Sequence, residues 1–260
     1  MRTLTLEELI SDRHAPAFIA VASQDLTPRV TPSHAHSHGQ LLGSMQGLLT
    51  VGFLGAYSLA PPSHAVWIPP DLQHSIRSHG PYKGYSVYIS AQASRTLPVA
   101  PQIIRVSGLL REAVARAATW ARDELDRSQK RIAGVVLDEI RRSPCEALAL
   151  PFPEDRRLRT VTQSLLDDLS EQRDINAWAT FAAMSPRSFS RHFVAETGLT
   201  FAEWRLRARL LRALELLVEG SSVTTIALEV GYNNTSAFID AFKKIFGTTP
   251  TRYLISIKHP

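Results

Sequence analysis

A single cysteine, Cys145, is present in 260 residues. It leaves no partner for an internal disulfide and fits a reducing compartment. No stretch approaches the roughly 18 consecutive apolar residues that a membrane-spanning helix needs. The leading segment, MRTLTLEELISDRHAP, has no apolar core of secretory-signal length and carries acids early. These absences predict a cytoplasmic protein with no membrane partner. Charge is nearly balanced: the formal net charge is +5, with +3 over residues 1–153 and +2 over the remainder. A basic excess suits a polyanionic partner, but one spread so evenly does not say which part would touch it. The length suits two domains rather than one.

Histidine is less even. Seven of the nine histidines fall between His14 and His79. In PSHAHSHGQL, His34, His36 and His38 occupy alternate positions and Gln40 continues the series. Alternate residues of a strand share a face, so the pattern leaves open a metal site, a polar pocket or an exposed edge. The surrounding chain reads as short strands: QLLGSMQ, LLTVGFL, AYSLA, HAVWIP, HSIRS and GYSVYIS, separated by Gly, Pro and Ser. Such runs predict an antiparallel sandwich or small barrel over residues 30–90, inside a domain of residues 1–106.

From Ser107 the period becomes helical. Leu110, Val114, Ala117 and Ala118 share one face; Ile132, Val135, Val136 and Ile140 share another. This helical pair, residues 107–147, packs either on its own barrel or on a second subunit, so a homodimer is possible. Pro151 and Pro153 then interrupt the helix, and residues 148–155 read as a linker.

Residues 156–260 read as helix throughout, and they repeat. Phe189, Phe193, Gly198, Thr200 and Trp204 recur 49 residues later as Phe238, Phe242, Gly247, Thr249 and Tyr253. Two phenylalanines one turn apart anchor a helix to a small core, and the glycine five residues on is a helix stop. An apolar helix precedes each copy, AWATFAAMS before the first and VTTIALEVGYNN before the second. Helix, tight turn and second helix, twice over, is a duplicated helix-turn-helix.

With that pattern, residues 175–254 resemble the DNA-binding domain of AraC/XylS-type transcription regulators. The match is carried by MSPRSFSRHFVAETGLTFAEWRLRARLLRALELL and by TTIALEVGYNNTSAFIDAFKKIFGTTPTRY. The N-terminal region resembles the cupin-type sensor barrel often fused to that domain. Its first motif corresponds to His34, His36, Gln40 and Gly47, and its second to Pro69, Asp71 and His74 in WIPPDLQH. Gln40 stands where the motif usually has an acid, and Asp71 where it has a glycine. The resemblance implies a multidomain α+β protein: an N-terminal antiparallel β-barrel with helices, then an all-α double helix-turn-helix.

The implied partner is double-stranded DNA. A long helix over roughly residues 200–219 should hold the two recognition helices rigidly. Leu206, Leu210, Leu214 and Leu217 face inward on it, with Arg205, Arg207, Arg209 and Arg212 elsewhere. A separation of about 34 Å would place the two recognition helices in successive major grooves. In the first, Ser185 is the expected N-cap, and Arg187, Ser190 and Arg191 face the DNA. In the second, Thr235, Ser236, Ile239 and Asp240 face outward, and no cation appears before Lys243 and Lys244. That asymmetry predicts base reading by the first helix and mainly backbone contacts by the second.

In the barrel, the resemblance brings His74 to His34, His36 and Gln40. Three imidazoles and an amide oxygen suit a divalent transition ion such as zinc, nickel, iron or manganese. They suit equally a metal-free pocket that binds a small-molecule effector. His38 is read as a rim residue, and His64 and His79, beside turns, as exposed. A metal-dependent enzyme would need a carboxylate that residue 40 lacks, so the chain is expected not to be an enzyme. The remaining alternative is a constitutive DNA-binding protein with a vestigial barrel.

Overall fold

The computed structural model describes residue 10 and residues 16–53, 55–121, 123–144 and 149–258. Cys145, Leu148 and nearly all of the leading segment read for a secretory signal lie outside the described residues. The chain divides into two compact units, one built mainly before residue 148 and one mainly after it.

The N-terminal unit is an antiparallel sheet of strands β1 (Phe18–Asp25), β2 (Val30–His34), β3 (His38–Phe53), β4 (Ala56–Ala60), β5 (His64–Ile68), β6 (His74–Ser90) and β7 (Gln102–Arg105). Two expectations merge here. QLLGSMQ and LLTVGF are one strand, β3, with Leu54 outside the described residues, and HSIRS and GYSVYIS are one strand, β6. They pair from His38 opposite Ser90 to Phe53 opposite His74. The turn signals between the runs are bulges: the register shifts between Ser44 and Leu48, which bends the pair without ending it. Gly47 sits there at φ 86°, and a Cβ on it would lie 2.4 Å from the Pro81 carbonyl oxygen. Beyond the bend the neighbours change. Near its end β6 pairs with β1, and near its start with β2. Two long bent strands thus serve both sides of a curled sheet.

Leu41, Trp67, Val87 and Ile89 form the centre of its core. Helices α1 (Gly108–Ala117) and α2 (Arg127–Arg142) follow. Leu110, Val114, Ala117, Val136 and Ile140 join that same core. Of the two expected placements, the helical pair therefore takes the chain's own sheet. Ser107 caps α1 by accepting the Leu110 N–H, and Asp126 with Gln129 makes a capping box on α2.

The C-terminal unit opens with a short strand, β8 (Ala149–Pro151), where the proline pair predicts only linker. Its helices are α3 (Arg156–Asp167), α4 (Ile175–Phe181), α5 (Pro186–Thr197), α6 (Phe201–Glu219), α7 (Val223–Glu229), α8 (Thr235–Phe246) and α9 (Pro250–Lys258). The first helix-turn-helix is α4–α5, the second α7–α8, and α6 joins them. Trp178, Phe189, Phe193 and Trp204 are fully buried, and Phe201 meets both phenylalanine rings at 5.3 Å. In the second copy Phe238 and Phe242 are fully buried and Phe242 meets Tyr253 at 5.6 Å. Trp204 donates its indole N–H to the Pro151 carbonyl at 2.6 Å, which ties β8 to α6.

One arginine departs from the expected arrangement. Arg209 is 8% exposed, not on an outer face. It donates to the Leu169 carbonyl at 3.1 Å and to the Glu171 carbonyl at 3.4 Å, and it lies over the Tyr232 ring. The cation stays charged because carbonyl dipoles and an aromatic face replace its water. Arg209 thereby links the segment before α4 to the turn of the second helix-turn-helix. Gly231, in that turn at φ 81°, makes the approach possible: a Cβ there would meet Leu169 O at 2.6 Å and Arg209 Nη2 at 2.4 Å. Gly231→Ala should lower stability by about 2–3 kcal/mol through backbone strain plus this clash. Urea unfolding of the full chain checks it, and an unchanged midpoint would refute the close packing.

Candidate functional site

The histidine cluster is built from three short segments rather than from one strand face. His34 ends β2, Ala35–Ser37 leave the sheet, and His38 starts β3. His74 starts β6 and pairs with His34 across the sheet. The turn before His74 is tied to this break: the Asp71 N–H donates to the His36 carbonyl at 2.9 Å. Asp71 adopts φ 61°, the left-handed conformation in which the family motif has glycine and which aspartate tolerates better than most residues. The ring centroids of His34 and His74 lie 4.3 Å apart, and those of His36 and His74 5.0 Å apart. One nitrogen from each of His34, His36 and His74 lies within 4.8 Å of the others.

The hydrogen bonds fix which nitrogen each ring presents. His34 Nδ1 bonds to the Pro32 carbonyl at 2.9 Å, His36 Nδ1 to the His38 carbonyl at 2.6 Å and His74 Nδ1 to the Leu72 carbonyl at 2.8 Å. A carbonyl only accepts, so each Nδ1 carries the proton and each neutral ring keeps its lone pair on Nε2. This is the outer-shell arrangement that orients metal-ligating histidines. His74 Nε2 is buried with no hydrogen-bond partner. His36 Nε2 instead faces Gln40 Oε1 at 3.2 Å. The Gln40 amide nitrogen donates to Ser86 Oγ at 2.9 Å and to the Tyr88 hydroxyl at 3.3 Å, which turns its oxygen toward the cluster. The donor set, neutral imidazole nitrogens and an amide oxygen, fits a divalent transition ion.

Burial lowers the pKa of both inner rings. That of His74 falls to about 4, first through desolvation and then through repulsion from His34 and His36. That of His36 is lowered by the same desolvation, against hydrogen bonds that favour its charged form. Neutral rings at physiological pH are what a metal needs.

His34, His36 and Gln40 border a cavity of about 700 Å³, with Val21, Leu42, Leu49 and Ile76 on its walls. Three expectations are corrected. His38 is not a rim residue: it is 1% exposed and its ring lies 3.1 Å from the Ile10 carbonyl and 3.3 Å from that of Pro16. It does not continue the alternation because the chain leaves the sheet just before it. His64 and His79 are buried rather than exposed, and His79 bonds to the Thr50 hydroxyl at 2.8 Å. Ser86 and Tyr88 complete the site unannounced, since only the β3–β6 register sets Tyr88 opposite Gln40.

On the helical side, Ser185 caps α5 as expected, and Asn234 caps α8. Arg187 and Arg191 are exposed on α5. Ser190 is half-buried and donates its hydroxyl to the Pro186 carbonyl at 2.9 Å. His192, not singled out by the sequence, lies 3.4 Å from the Arg191 guanidinium. On α8, Ser236, Asp240, Lys243 and Lys244 are exposed, and Thr235 and Ile239 are half-buried. Among the described residues no helix is long and apolar enough to cross a membrane.

An antiparallel sheet with a cavity followed by two helix-turn-helix units defines a class, and comparison with known proteins gives the same class. The AraC-like ligand binding domain matches residues 17–134, and a helix-turn-helix domain matches residues 178–255. The chain belongs to the AraC family of DNA-binding transcription regulators with an N-terminal ligand-binding domain. It is 34% identical over 258 residues to the HTH-type transcriptional regulator NimR of Escherichia coli, an alignment covering 98% of this chain and 93% of that protein. It is 33% identical over 103 residues to the HTH-type transcriptional regulator RipA of Corynebacterium glutamicum, covering 40% of this chain and 31% of that one. Among solved structures, the DNA-binding domain of AdpA in complex with a target DNA aligns at 32% identity. That match covers 37% of this chain and 88% of that one, with a TM-score of 0.36.

The lowered histidine pKa has a consequence for metal-free protein. Below the ordinary value of 6.5 the unfolded chain takes up a proton at residue 74 that the folded chain refuses until about 4. Stability should therefore fall as pH drops through that window. Thermal melts of chelator-treated protein across it should show a falling Tm, shallower in His74→Gln. A Tm independent of pH would contradict the burial of a neutral ring.

Proposed function

We propose that this cytoplasmic regulator, a binding protein without catalytic activity, reads DNA through α5 and α8. Its cupin-type N-terminal cavity governs that reading by binding an effector at the histidine cluster. The observation that carries the effector reading is the convergence of His34, His36 and His74, one nitrogen of each within 4.8 Å of the others, with the buried Nε2 of His74 lacking a hydrogen-bond partner. His34, His36 and His74 would hold a divalent transition ion through those atoms, with Gln40 beside them. Such an ion would supply a fixed positive centre for an effector to bind. Effector binding shifts the regulator between states of different DNA affinity only through a difference in its affinity for them.

Metal analysis of gently purified protein tests the first part. About one equivalent in wild type, and loss of it in His74→Ala, is expected; less than about 0.2 equivalent in wild type would remove the metal. Titration of operator binding against added zinc, nickel, iron and manganese tests the second. Affinity that never changes would favour a constitutive regulator.

On DNA, Arg191 and Arg187 offer paired donors suited to guanine edges, whereas α8 presents Ser236 and Asp240 before its first lysine. We assign base reading mainly to α5. Arg191→Ala should cost about 1–3 kcal/mol of discrimination at particular base pairs. Lys243→Ala should weaken binding evenly across sequences and reduce the salt slope by about one. Base-by-base substitution of the bound site checks both, and equal sensitivity in the two half-sites would overturn the asymmetry.

A further inference from the structure

Charge is unbalanced at the histidine cluster if it holds a metal. Imidazoles bind metals in the neutral form, and Gln40 is a neutral amide. A divalent ion on this set would keep its full charge. Most of the groups around it are buried: His74 is 1% exposed, Gln40 2% and His36 5%, with His34 half-buried. An uncompensated ion is strongly disfavoured in such surroundings. Among the described residues, no carboxylate or thiol joins the three histidines in this cluster. Asp25 borders the same cavity but has a cation of its own, Arg29, at 3.7 Å. Among the described residues no other carboxylate lines the cavity, which points to a counter-charge from a bound anion.

The cavity says what kind of anion. Its volume of about 700 Å³ greatly exceeds what a halide or hydroxide fills and lies in the range of sites for small organic ligands. Val21, Leu42, Leu49 and Ile76 give it apolar wall. We infer that the effector is an organic anion with an oxygen donor and a partly apolar body, and that it binds together with the metal. The donor group cancels the ionic charge and the body lies along those four side chains. This rests on the metal reading given above. By linkage each ligand tightens the other by the same factor, so the barrel responds to the two in coincidence. Gln40 is the residue that imposes this dependence.

The test uses the full-length protein, cobalt(II) as the ion and benzoate as the anionic probe, with benzamide as its neutral counterpart. Cobalt affinity and the cobalt visible absorption are both read. Benzoate should tighten cobalt binding about tenfold or more and change the spectrum, while benzamide at the same concentration does neither. Gln40→Glu supplies the charge internally, so it should bind cobalt more tightly without benzoate and lose most of the benzoate enhancement. Cobalt that binds wild type with an affinity and spectrum indifferent to benzoate would overturn the inference and leave the metal reading standing. A full benzoate enhancement in Gln40→Glu would overturn Gln40's role. Failure of cobalt to bind with or without benzoate would overturn the metal reading and this inference with it.

Discussion

The N-terminal site depends on three hydrogen bonds that leave it. Each of His34, His36 and His74 commits its Nδ1 proton to a carbonyl two residues away in its own chain segment. The Pro32 carbonyl lies within β2 where its register shifts between Thr31 and His34, the His38 carbonyl belongs to the first residue of β3, and the Leu72 carbonyl lies in the turn before β6. All three acceptors thus sit at strand ends or at an irregularity, on either side of the break at Ala35–Ser37. The Asp71 N–H on the His36 carbonyl joins the two irregular stretches, so the cluster is fixed by main chain on both sides.

The C-terminal unit rests on a different kind of constraint. Two small helix-turn-helix cores, each closed by a phenylalanine pair, have little area with which to hold one another in place. A single long helix gives them a common axis, but a helix alone leaves rotation of flanking segments unspecified. Arg209 adds directional contacts, with two carbonyls before α4 on one side and the Tyr232 ring on the other. Gln172 reinforces the junction by donating to the Gly231 carbonyl at 2.9 Å. A buried cation satisfied by main chain is costly to rearrange, which suits a reader whose two recognition helices must keep one spacing.

Much of this was legible in the residues. The 49-residue repeat located both recognition helices, because phenylalanine pairs and stop glycines are local signals, and Ser185 marked the start of the first. His34, His36 and His74 were legible as a set through two short motifs. What stayed hidden was set by register and by tertiary packing. Strand alternation suggested that His38 belonged with its neighbours, yet a three-residue departure from the sheet detaches it. Gly47 and Pro81 read as ends of strands, whereas they mark a bulge inside two long ones. His64 and His79 read as surface residues because turns flank them, and pairing buries them instead. Arg209 was indistinguishable from the other arginines of α6, since its acceptors are carbonyls 38 and 40 residues away in sequence.

The two copies of the repeat have kept their cores and changed their turns. In the first, Ala183 takes φ 51°; in the second, Gly231 takes φ 81°. Alanine in that conformation carries a strain of about 1 kcal/mol or more that glycine avoids. The glycine in the second turn is the residue that admits Arg209, whereas the first turn has no such neighbour to admit and tolerates a side chain. The faces have diverged too, with exposed arginines on α5 and an exposed aspartate on α8. Shared aromatic spacing preserves the scaffold, so these substitutions are free to divide the work. One copy carries donors suited to base edges, and the other carries the junction that holds both copies in register.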